Sequence, residues 1–206
     1  MQFFDYAVRQ MAGVWIMAIA SIDGDQRRWR DRLDLSVDGV FRSFWAVAFA
    51  APFAIIGAVA LRRASVSVPD LQDTPFVAAP LAIALTARIG GLIAYWAAGI
   101  GLIILTARAT GRSQRVAETI IAFNWAQVFA FVLQAGPVAA LGFAHDPSAA
   151  GAVAIPVLII VLTLFWGVFR KGLEASVILA LMLLGALVAL DLGVDFFATA
   201  FIRFVT

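Results

Sequence analysis

Five long apolar runs separated by short charged connections constrain this chain more than any other feature: residues 44–61, 81–106, 116–142, 152–169 and 174–194. A helix needs about 20 predominantly apolar residues to cross the hydrocarbon of a bilayer, where every backbone N–H and C=O must be satisfied within the protein. Runs of this length predict an all-α fold: a polytopic integral membrane helix bundle with five transmembrane helices. At 206 residues, 63% hydrophobic and 14% charged, the chain has little left over for a separate soluble domain. Two regions result, an N-terminal arm over 1–43 and a transmembrane domain over 44–206 that ends in a short aromatic tail, Phe196 to Thr206.

Lys and Arg placement orients the bundle, because cytoplasmic loops keep the excess of positive charge. An N-terminus inside gathers Arg9, Arg27, Arg28, Arg30, Arg32, Arg42, Arg108, Arg112, Arg115, Arg170 and Lys171 on the cytoplasmic side. Only Arg62, Arg63, Arg88 and Arg203 then fall outside, so the expected arrangement is N-terminus cytoplasmic and C-terminus outside. One Lys against fourteen Arg, with abundant Ala, suggests a GC-rich bacterial genome and hence a bacterial inner membrane.

The arm opens with an apolar stretch, Phe3 to Ile22, interrupted by Asp5, Arg9 and Gln10. It is too broken to span and predicts a helix lying at the inner interface. Ala18-Ile19-Ala20 resembles a signal-peptide cleavage site, but the segment before it is not basic and cleavage would put the Arg27 to Arg32 cluster outside. Trp29 is expected at headgroup level, and Ser36 as the N-cap of the first span. Small residues recur every four positions at Ala46, Ala50, Ala54 and Ala58, at Gly90, Ala94 and Ala98, and at Gly185, Ala189 and Gly193. Such stripes predict helix-packing faces.

Composition narrows the chemistry. Without cysteine there is no disulfide, thiol nucleophile or thiolate metal site, and a net charge of +2 gives nucleic-acid binding little support. Residues 34–39, Asp-Leu-Ser-Val-Asp-Gly, match the start of a calcium loop, yet Trp45 occupies the twelfth position where a bidentate Glu is required. No phosphate loop, nucleophile elbow or zincin motif occurs, so neither catalytic residues, a metal nor a cofactor is expected.

Polar residues at membrane depth are the natural place to look for function. Asn124, Gln127 and Gln134 fall within roughly 80° of arc on a helix, forming one face of the third span that suits either interhelical hydrogen bonds or a hydrated cavity. Arg88 and Asp191 each lie about 30 Å from the inner end of their spans at 1.5 Å per residue, where they are expected to pair or to share a network with Asp195. Glu118, three residues after Arg115, suits a local ion pair at a helix N-terminus. A cytoplasmic contact surface is expected from Arg27, Arg28, Arg30, Arg32, Arg112 and Arg115.

The layout resembles the Yip family of Ypt/Rab-interacting membrane proteins, which have a polar cytoplasmic N-terminal segment, five spans and a short outer C-terminus. Asp34-Leu35 followed by Gly39, Val40 and Phe41 is similar to the D-L-Y-G-P type element before the first span of eukaryotic members, without its Tyr and Pro. Gly111 to Trp125, GRSQRVAETIIAFNW, looks like bacterial membrane proteins of this type. The resemblance implies membrane organisation through partner binding and no catalysis. The expectation is therefore a non-enzymatic scaffold that engages a protein or anionic lipid at its cytoplasmic face, possible as a homo-oligomer; the alternative is a small transporter or channel using the third span's polar face.

Overall fold

A computed structural model describes residues 2–20, 27–65, 68, 72–143 and 147–206. Among them the helices are α1 (Gln2–Ile19), α2 (Arg27–Arg30), α3 (Val37–Ser43), α4 (Trp45–Ala64), α5 (Pro75–Ala78), α6 (Leu81–Ala109), α7 (Val116–Phe143), α8 (Pro147–Gly167) and α9 (Val177–Val205). Five helical segments are long and apolar enough to cross a membrane: Val37–Ala64, Leu81–Ala109, Ser113–Phe143, Ser148–Gly172 and Val177–Val205. The protein is an all-α membrane helix bundle. The face carrying α1 and the α6–α7 and α8–α9 connections is here the near face, and the opposite one the far face.

The third span is the axis. Of the residues in its apolar stretch 61% are buried, against 17–33% for the other four, so the remaining spans turn most of their surface out of the bundle. The first span packs along it through Ala46, Ala50 and Ala54, all buried. A Cβ at Gly142 would lie 2.6 Å from Ala60 Cα, so the α4 and α7 backbones also meet near the far face. Small residues permit this approach, and dispersion across it holds the helices together in lipid.

The other two small-residue stripes do not pack within the chain. Gly90, Ala94 and Ala98 are exposed, as are Gly185 and Ala189, with Gly193 half-buried. α6 meets α9 through different faces, where a Cβ on Gly91 would lie 3.1 Å from Val194. Spacing identifies a stripe but not its partner, because an Ala-lined surface and a Leu-lined one are both acceptable to lipid.

α1 packs directly on the bundle. Ala7, Gln10, Val14 and Met17, three and four residues apart, form a buried stripe against α7 and α8, while Phe4, Val8 and Ile19 face outward. The α1 and α8 backbones touch at Gly167, whose added Cβ would lie 2.6 Å from Ala18 Cα. Trp15 stacks on Phe129 of α7 with ring centroids 5.7 Å apart.

Three local expectations gain detail. Trp29 is fully buried beneath α1, so its ring faces protein, with the Arg30 guanidinium 4.7 Å over it. The first span starts at Val37, not 44, because α3 leads into α4 through a single turn residue, Phe44. The aromatic tail is helical: α9 runs unbroken through Asp195 to Val205. An Asp bound to an Arg across the helix pair does not end a helix.

Candidate functional site

Asn124 sits where α3, α6 and α7 converge. The Trp96 indole Nε1–H donates to its Oδ1 (2.6 Å), its Nδ2–H donates to Ser43 Oγ (2.8 Å), and the Ser43 hydroxyl donates to the Val40 carbonyl (2.7 Å). Asn124 and Ser43 are fully buried and Trp96 nearly so. This chain of bonds links the first three spans and leaves Asn124 facing no open space. Every residue from Thr119 through Val128 is buried, so the third span is sealed all round at this level.

Gln127 and Gln134 point elsewhere. Both line a cavity of about 270 Å3 in the far half of the bundle, bounded mainly by α6, α7, α8 and α9, with Ala54 of α4 and Phe76 of α5 also in its wall. That volume approaches the lower end of the roughly 300–1,000 Å3 typical of ligand cavities. Its polar groups fall in two tiers. Arg88, Gln134, Asp191 and Asp195 stand at the mouth, and Tyr95 and Gln127 lie one seven-residue step deeper along α6 and α7, about 10 Å at 1.5 Å per residue. Leu92, Phe131, Val161, Phe165, Leu184 and Leu187 supply apolar wall between them. Gln127 is 2% exposed, and its Nε2 has no hydrogen-bond partner among the described residues.

At the mouth Arg88 Nη1 meets Asp195 Oδ1 at 3.4 Å, joining α6 to α9. The expected direct pair with Asp191 does not form. Asp191 lies one helical turn deeper than Asp195 and makes no ion pair among the described residues. Tyr95 escaped the sequence reading because an aromatic in an apolar span carries no polar signal of its own.

The near face is internally tied. Glu118 Oε1 accepts from Arg30 Nη2 (3.0 Å) and its Oε2 from Arg115 Nη1 (3.1 Å), while Arg115 also pairs with Glu174. Arg30 and Arg115 thus serve the fold rather than an open contact surface, because a partly buried carboxylate between α2 and the third span demands cations. Arg28 and Arg32 are exposed and Arg112 is half-exposed, none of them in an ion pair among the described residues. The side chain of Arg27, together with Asp23, Asp25 and His145, lies outside the described residues.

Two more polar anchors hold the arm. Gln10, fully buried on α1, donates through Nε2 to the Arg32 carbonyl (3.1 Å) and accepts from the Asp34 N–H (2.9 Å). Lys171, also buried, donates through Nζ to the carbonyls of Met17 and Ala20, where α1 leaves acceptors unmet at its C-terminus. Asp34 takes the Ser36 hydroxyl at 2.6 Å and the Tyr6 hydroxyl at 3.3 Å, and Ser36 caps α3 by accepting from Gly39 N–H at 3.0 Å. The calcium-like pattern is thus a helix start. Hydrogen bonding from Ser36 holds the Asp34 carboxyl below its ordinary value, and burial with the nearby Asp34 charge pushes the Tyr6 hydroxyl up to about 12.

These features define a polytopic membrane protein with an arm welded to one face and a cavity in the opposite half of the bundle. Comparison with protein families, curated proteins and solved structures finds no match.

Proposed function

We propose that this protein is a non-enzymatic scaffold of the inner membrane, Yip-like in layout, whose near face is cytoplasmic and presents a preformed docking surface to a protein partner. The observation that carries this reading is the arm's attachment: Gln10, Lys171 and the Arg30–Glu118–Arg115–Glu174 network hold it against the bundle, leaving the side chains of Arg28, Arg32 and Arg112 outside those contacts. A surface of fixed shape with interspersed Arg and Asp suits a folded acidic partner better than a purely electrostatic lipid tether. Photo-crosslinking groups placed at Arg28 and Arg112 should trap one protein in intact cells, and Arg32→Glu should remove it. Crosslinks to lipid alone, or the same products from a group at the far-face Arg203, would refute the proposal.

A second reading, transport, draws on the cavity. Its sealed inner end at Thr119 to Val128 suits binding or occlusion of a solute more than an open channel.

A further inference from the structure

The cavity holds an imbalance that the scaffold reading does not use. At its mouth one cation serves two carboxylates: Arg88 pairs directly with Asp195 and reaches Asp191 only through its field, so Asp191 has no ion pair of its own among the described residues. A carboxylate at the rim of a low-dielectric cavity is costly without a cation beside it. At the inner tier the buried Gln127 amide lies beside the Tyr95 hydroxyl, yet its Nε2–H reaches no partner with hydrogen-bond geometry among the described residues and borders the same space. An unmet buried donor is costly, so it favours an occupant that brings an acceptor. Between the two tiers the wall is apolar over about 10 Å.

From this arrangement we propose that the cavity binds an amphiphilic amine: an ammonium at Asp191, an apolar body along the wall, and a carbonyl or ether oxygen at Gln127. The lining of α9 from Leu184 to Asp195 spans about 16 Å at 1.5 Å per residue, room for an extended chain of that kind. Charge complementarity selects the cation over an anionic amphiphile of equal length, and the buried stretch Thr119 to Val128 of the third span limits how far the apolar body reaches. An ammonium can arrive on a free amphiphile or as the headgroup of an aminophospholipid; the chemistry at the site is the same. This inference is independent of the near-face partner, since it concerns the opposite side of the bundle and needs no second protein.

The test is calorimetry of the full chain in phosphatidylcholine nanodiscs, with empty discs as background. Methyl 8-aminooctanoate, which carries an amine at one end and an ester at the other, should bind saturably at one site per chain, more tightly than octylamine and far more tightly than octyl sulfate. Asp191→Asn should weaken both amines by about tenfold, the factor carried by about 1.4 kcal/mol. Gln127→Leu should erase the preference for the ester over octylamine, and Leu158→Trp, at an exposed position of the wall, should block both. Weaker probe binding in phosphatidylethanolamine discs identifies a lipid headgroup as the competing source; equal binding identifies a free amphiphile, and either result supports the site. No saturable heat above empty discs, equal binding of octyl sulfate, or full binding by monodisperse Asp191→Asn protein would overturn it.

Discussion

Asn124→Leu isolates the buried chain of bonds that joins the first three spans. Trp96 is only 2% exposed, and Asn124 Oδ1 is the acceptor of its indole N–H. Removing that acceptor strands a buried donor, at about 1–3 kcal/mol. Ser43 loses only the bond it accepts from Nδ2, because its own hydroxyl still donates to the Val40 carbonyl; that loss is worth about 0.6 kcal/mol, the average for interhelical bonds in lipid. The single substitution should therefore cost about 2 kcal/mol. Trp96→Phe removes the stranded donor, so adding Asn124→Leu to it should cost far less than Asn124→Leu alone, giving a coupling of about 1–1.5 kcal/mol. Unfolding in mixed micelles titrated with dodecyl sulfate, followed by circular dichroism, measures all four corners of the cycle. Additivity within about 0.3 kcal/mol, the usual behaviour of sites that do not interact, would refute the reasoning.

Other perturbations follow from single contacts. Lys171→Met leaves the Met17 and Ala20 carbonyls without their ammonium and should accelerate hydrogen exchange in the last turns of α1 alone, by about 2 kcal/mol of opening free energy. Two glycines of α7 should respond oppositely to Ala: at Gly142 the new Cβ meets the Ala60 backbone and should destabilise by about 1–3 kcal/mol, whereas at Gly136 nothing lies within 4 Å and removal of a helix-interior glycine should stabilise by about 0.5–1 kcal/mol, both read by the same micelle titration. Acid should loosen the corner where α1 meets the turn that precedes α3. Because Asp34 titrates below its ordinary 3.8 when folded, its contribution is complete above that value and is lost as pH falls through the folded pKa, a loss that Asp34→Asn should abolish when α1 exchange is followed against pH.

How much of this was legible in the sequence depended on whether a residue's meaning was local. Apolar runs locate helices because the bilayer sets their length, and Ser36 announces a cap within three residues of its own position. Partners across the bundle are not local. Gln10 reads in sequence as an interruption of an apolar stretch, yet it shares a face with Ala7 and Val14, and that three-and-four spacing was the signal that a buried amide must find bonds there. Lys171 reads as a compositional oddity, though a lone Lys at a span end is well placed to reach another helix's carbonyls. The Asn124–Gln127–Gln134 arc is correctly one face, but 80° is wide enough to border two neighbours, so Asn124 turns into packed helices and the two glutamines border a cavity. Arg88, Asp191 and Asp195 stand out in sequence as charges at a boundary; which carboxylate pairs depends on the relative height of α6 and α9, which no spacing within either helix contains.

The central claim is that the third span's polarity divides between a sealed bond network at Asn124 and a cavity in the far half of the bundle that Gln127 and Gln134 border. Having no native cysteine, the chain can carry single reporters at Arg112, Asn124, Gln134 and Asp191. Treated from either side of sealed vesicles with a membrane-impermeant thiol reagent, Gln134→Cys and Asp191→Cys should react from one side, Arg112→Cys from the other, and Asn124→Cys from neither. Labelling of Asn124→Cys, or of Gln134→Cys from the side that labels Arg112→Cys, would contradict the account.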